Sequence, residues 1–144
     1  MKLGKLALCA LVAFLIMFLT DWLWFGMLMK DSRTHWPGDR PEPLMMYLVL
    51  GVLIYAIAFA HMFGKYHSGG TPVNEGAGYG FWVVLLAWLP MGIVWYALMD
   101  TQPLQEYLTN SGYRLVQQII MGIAVAFLSG MGGHRGKGLD GGGG

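Results

Sequence analysis

Four uninterrupted apolar blocks decide what this chain can fold into, at about residues 6–29, 44–63, 79–99 and 115–131. A bilayer's hydrocarbon core, about 30 Å thick, needs roughly 17–25 apolar residues for one helical crossing. In lipid a backbone has to satisfy its own N–H and C=O groups, which a single block does only as a helix. The composition agrees: 56% of residues are hydrophobic and 12% charged, against about 25% charged in soluble domains. A water-soluble fold this small leaves too much surface exposed to hide so much apolar matter. The predicted fold is all-α, an integral membrane four-helix bundle of two tandem hairpins.

Span 1 carries 12 Leu, Ile, Val and Phe residues and span 4 carries 8. At about −0.3 to −0.6 kcal/mol each, span 1 can absorb one central aspartate at about +2.5 to +3.5 kcal/mol. Lys2 and Lys5 precede it as they would a signal peptide, whose apolar region runs only about 7–15 residues before a small-residue cleavage site. This run is longer and ends in Trp22, Trp24 and Phe25, so it is expected to stay in the protein. The lone Cys9 lies inside span 1, so no intrachain disulfide can form and packing is its expected role.

The predicted loops are short. The first holds Trp36, Pro37, Pro41 and Pro43, and the second holds Ser68-Gly69-Gly70-Thr71-Pro72 and Glu75-Gly76-Ala77-Gly78. The third runs from Asp100 to Gly112, with Asn110-Ser111-Gly112 as the turn before span 4. The tail, 134–144, is glycine-rich and expected to be disordered. With both termini cytoplasmic, the inner side carries Lys2, Lys5, Lys65, Arg135 and Lys137 against Lys30, Arg33, Arg40 and Arg114 outside. The positive-inside rule favours that orientation in the inner membrane, by a narrow margin.

An offset of 71 residues lays Trp24-Phe25 on Trp95-Tyr96, and Leu44 and Gly51 on Leu115 and Gly122. Because one offset serves both helices of each hairpin, a duplicated hairpin in parallel repeat is expected. Small residues also recur four apart: Ala56, Ala60 and Gly64 in span 2, and Gly122, Ala126 and Gly130 in span 4. Such stripes let helix backbones approach closely, either within the chain or against a second copy.

Two stretches carry a resemblance. Glu75-Gly76-Ala77 leads into span 3 through Trp88-Leu89-Pro90, and Tyr107-Leu108-Thr109-Asn110-Ser111-Gly112-Tyr113-Arg114-Leu115-Val116 precedes Met121-Gly122. Together these resemble an uncharacterised bacterial family of small four-span membrane proteins, the domain of unknown function numbered 1761. The match is clearest over Glu75 to Phe127, and Trp22-Leu23-Trp24-Phe25-Gly26 is loosely similar to that family's first-span motif. The resemblance implies a compact four-helix membrane unit and no particular activity.

Asp21 is the first candidate for chemistry, because an ionisable group deep in a span marks a functional site by default. It lies nine residues before Lys30, roughly 13 Å below that surface. Gln117 and Gln118 enter from the same side on span 4, beside Arg114, and Tyr96 belongs to the same half of span 3. Asp21, Tyr96, Arg114, Gln117 and Gln118 thus form one expected polar cluster. Two readings stand: a proton- or cation-responsive site, or a hydrogen-bonded network that holds spans 1 and 4 together.

The remaining features carry less. His61, His67 and His134 share a side but lack metal-ligand spacing, and a haem would need two axial ligands at one depth. Neither metal nor cofactor is expected. Gly76, Gly78 and Gly80 follow no strand and are not a phosphate loop. Pro90 removes a backbone donor in mid-span 3 and predicts a kink. No nucleophile–base pair or paired carboxylates appear, and a net charge of +1 offers no basic stripe for nucleic acid. The expected role is non-enzymatic: an accessory or interaction protein whose partners are lipid and another membrane protein or copy. A small transporter or channel subunit using the Asp21 cluster is the alternative.

Overall fold

The structure, a computed structural model, describes residues 2–30, 44–98 and 103–130. The glycine-rich tail and the prolines and Trp36 of the first loop lie outside the described residues. Four helices form: α1 (Leu3–Leu28), α2 (Met45–Tyr66), α3 (Pro72–Leu98) and α4 (Leu104–Gly130). All four are long and apolar enough to cross a membrane. α1 packs on α2 and α3 on α4, giving two hairpins, and α1 also lies along α4 to join them. This is the all-α membrane bundle that the apolar blocks dictate.

α1 sorts its side chains by size rather than by polarity. On α1, Cys9, Ala10, Ala13 and Met17 face inward, while Leu11, Leu15 and Leu19 face outward. Lipid is as apolar as leucine, so large aliphatic side chains gain little from hiding and small ones gain close contact. Ala56 and Ala60 of α2 and Ala126 of α4 are likewise buried. Gly64 and Gly130, the last members of the two small-residue stripes, are exposed. The stripes run past the end of the contact, and the space beside Gly130 is open.

The closest approach is between α3 and α4. A Cβ on Gly76 would overlap the backbone of Gly122 and Ile123, and one on Gly80 would overlap that of Gln118 and Ile119. Here glycine is required by contact with a neighbouring backbone, despite its cost of about 1 kcal/mol in a helix interior. α2 and α3 meet instead through rings. Tyr79 lies edge-on to Phe59 (4.7 Å) and Phe63 (5.3 Å) and donates to the Phe59 carbonyl (3.0 Å).

Two helix starts differ from expectation. α3 begins at Pro72, not near residue 79, because Thr71 caps it by accepting from Asn74 N–H and Pro72 opens it. Glu75 then anchors the preceding turn, its Oε1 accepting from Ser68 N (2.9 Å), Ser68 Oγ (2.7 Å) and Gly70 N (2.7 Å). His67 Nδ1 meets the other carboxylate oxygen, and Gly69 supplies the turn's positive φ of 95°. α4 begins at Leu104, not near residue 115, so Asn110-Ser111-Gly112 lies inside a helix rather than in a turn. On the same side as the Glu75 turn, Lys5 Nζ donates to the Ser129 carbonyl (2.8 Å) near the end of α4.

Two π-helical turns interrupt the helices, at Trp24–Leu28 in α1 and Val84–Trp88 in α3. In the second, Leu89 N–H reaches back to the Val84 carbonyl immediately before Pro90. The expected kink at Pro90 is thus met by a widened turn just before it. The proline ring and missing N–H are accommodated by one extra residue per turn, and the helix continues to Leu98.

Candidate functional site

Gln117 stands at the midpoint of α4, 13 residues from Leu104 (117 − 104) and 13 from Gly130 (130 − 117). At about 1.5 Å per residue it is some 20 Å from either end of the helix. An unpartnered amide at that depth is costly in lipid, and Gln117 is fully engaged. Its Nε2 donates to Thr20 Oγ1 (2.7 Å) and Asp21 Oδ1 (2.8 Å) on α1, while its Oε1 accepts from Arg114 Nη1 (2.7 Å). Only one orientation of the amide satisfies both sides, because the nitrogen carries the donors.

Asp21 receives three donors on one oxygen. Tyr113 Oη donates to Oδ1 at 2.7 Å, Arg114 Nη1 at 2.7 Å and Gln117 Nε2 at 2.8 Å. The Asp21 and Arg114 side chains are 22% and 12% exposed, so the pair is largely shielded by protein. A single charge at the centre of a span costs about 2.5–3.5 kcal/mol, and pairing removes the net charge. Arg114 therefore turns inward instead of reaching for the surface.

The network continues across the bundle. Gln118 donates to Gln117 Oε1 (3.4 Å) and accepts from Tyr55 Oη (2.9 Å) on α2. Tyr55 Oη in turn accepts from Trp88 Nε1 (3.4 Å) on α3. All four helices thus contribute a polar group to one connected set.

An aromatic wall encloses the arginine. Its guanidinium carbon lies 4.3 Å from the Trp88 ring centroid, 5.4 Å from Tyr113 and 5.6 Å from Phe25. Trp24 stacks on Tyr113 at 4.6 Å and donates to Asn110 Oδ1 (3.2 Å). Trp24 and Phe25 belong to the π-helical turn of α1 and Trp88 to that of α3. Both widened turns therefore direct rings at the same cation.

Of the five expected members, the structure brings Asp21, Arg114, Gln117 and Gln118 together. Tyr96 stands apart: it is 44% exposed and meets Tyr107 edge-on at 6.1 Å, two turns beyond Trp88. The place expected for Tyr96 is taken by Trp88 on its own helix and by Tyr113 on α4. Tyr113 carried a signal, since residues i, i+1 and i+4 put Tyr113, Arg114 and Gln117 on one helical face. Beginning span 4 near residue 115 concealed that face. Thr20 and Tyr55 carried no signal beyond being polar residues within spans.

Elsewhere, Cys9 is buried with its Sγ 3.9 Å from the Val125 carbonyl, in a packing position. His61 is exposed on α2. Among the described residues, no three His, Cys, Asp or Glu side chains gather as metal ligands would. No family model, no curated protein and no solved structure matches this chain.

Proposed function

We propose that this chain is a small accessory or interaction protein of a bacterial inner membrane, and that its polar cluster is the lock of its own bundle. The observation that carries this reading is the crowding of donors on one oxygen of Asp21, whose Oδ1 accepts from Tyr113, Arg114 and Gln117. A carboxylate that carries protons or metal ions through a membrane has to release its partners each cycle. This one is tied to a resident counter-charge. The resemblance to the family numbered 1761, the expected cytoplasmic termini and the absence of any reaction belong to the same proposal. The surface offered to a partner is the last ten residues of α3, Leu89–Leu98, which contain no buried residue. Purification in native-lipid particles tests the role. A membrane protein recovered at fixed stoichiometry, and lost with Ile93→Ala and Leu98→Ala together, is the expected result. Saturable ion flux by the purified chain alone, abolished by Asp21→Asn, would replace this reading with the transporter alternative.

A further inference from the structure

The lock has a composition that the task of joining two helices does not require. One carboxylate and several aromatic faces surround a single cation, which is the chemistry that selects organic cations from water or lipid. The two π-helical turns add an independent observation, because such turns concentrate at functional sites and each of these sends a ring to the Arg114 guanidinium. Trp88 covers the guanidinium at 4.3 Å, closest of the three rings. Arg114 Nη1 is also shared between Asp21 Oδ1 and Gln117 Oε1, each at 2.7 Å. A cation that takes Asp21 therefore takes the place of Arg114 on both acceptors.

From this we infer that the cage of Asp21, Trp88, Phe25, Tyr113 and Gln117 is a binding site for guanidinium compounds bearing an apolar tail. In the resting protein Arg114 occupies it as a tethered competitor. The ligand head replaces the Arg114 guanidinium: its N–H groups donate to Asp21 and its plane stacks on Trp88. A quaternary ammonium has the charge but neither the flat face nor the donors, so it binds less well. Asp21 is 22% exposed, which leaves the carboxylate within reach from outside the bundle. The inference goes beyond the accessory role: Arg114 holds Asp21 in the resting protein, and a cation that displaces it would loosen the lock and regulate whatever the bundle binds.

The test is butylguanidinium binding to the full chain in lipid nanodiscs, followed by tryptophan fluorescence, with butyltrimethylammonium as comparator. Wild type should bind butylguanidinium saturably, and Arg114→Ala should bind it at least tenfold more tightly, because the competitor is gone. The Asp21→Asn/Arg114→Ala double variant should lose that gain, and the ammonium should bind every form at least fivefold more weakly than the guanidinium does Arg114→Ala. Equal, non-saturable signals in all forms would mean partition into lipid only and would overturn the inference. So would equal affinity for the two head groups. Should Arg114→Ala fail to incorporate, Arg114→Lys takes its place. Its ammonium is the poorer occupant, so butylguanidinium should bind severalfold more tightly than to wild type, and equality with wild type would again overturn the inference. Failure of this test leaves the partner recovery of the accessory reading untouched, and the reverse also holds.

Discussion

α4 is held on its two sides by opposite means. Against α3 it presents Gly122 and the backbone of Gln118, into which Gly76 and Gly80 fit with no room for a side-chain carbon. Against α1 it presents Tyr113, Arg114 and Gln117, which bridge a wider gap by hydrogen bonds. Both solutions answer the same condition, that lipid offers helices no hydrophobic reason to associate. They differ in tolerance. A backbone contact is all or nothing, while a network with several donors on one oxygen can lose members one at a time.

The largest effect should therefore come from the glycine seam. Gly80→Leu drives a side chain into the Gln118 and Ile119 backbone and should cost about 3 kcal/mol, or prevent folding outright. Unfolding in mixed micelles, followed by far-ultraviolet circular dichroism, reads the loss. Gly51, which the 71-residue offset pairs with Gly122, has nothing within 4 Å of its Cβ position and is the internal control. If Gly51→Leu destabilised as much as Gly80→Leu, the contrast between packed and open glycines would be wrong.

Next comes the polar seam. Arg114→Ala leaves Asp21 with two neutral donors and no counter-charge, and should cost about 2 kcal/mol given the pair's partial exposure. Asp21→Asn keeps an acceptor for Tyr113 and Gln117 and should cost about half as much. In a double-mutant cycle the two changes should be strongly non-additive, because they remove one shared bond. Additivity within error would show that Arg114 acts through its aromatic wall and not through Asp21. Further along the network, Gln118→Leu and Tyr55→Phe each remove two hydrogen bonds and should each cost about 1.2 kcal/mol, at about 0.6 kcal/mol per bond between membrane helices.

The bundle was legible in the sequence because block length and apolarity alone set the number and type of crossings in lipid. Asp21, Arg114 and the glutamines were legible because polar residues inside apolar blocks have few places to go. The glycine seam was hidden by local signals. Glu75-Gly76-Ala77-Gly78 has the composition of a loop, and nothing in one helix announces that a second backbone will lie across it. The same bias cut short the start of α4, where Asn110, Ser111 and Gly112 read as a turn. Tyr96 was placed by depth alone. Depth does not fix direction around a helix, and its neighbour Trp88, drawn inward by the widened turn, holds the position instead.

The smallest expected effect separates the two uses of a small-residue stripe. Ala60 and Gly64 are one helical turn apart on α2, yet Ala60 is 0% exposed and Gly64 faces outward. Gly130 likewise follows the buried Ala126 and has open space beside it. Ala60→Leu should overpack the core by about 1–3 kcal/mol, whereas Gly64→Leu and Gly130→Leu should stay within about 0.5 kcal/mol of wild type. Stability is then the first readout and mass in lipid particles the second. An unchanged mass for both glycine variants confines the stripes to intrachain packing. A wild-type dimer that becomes a monomer in Gly64→Leu, with stability intact, would instead assign the stripe's outer end to a second copy. The inner and outer members of one stripe would then serve different helices, one from this chain and one from its neighbour.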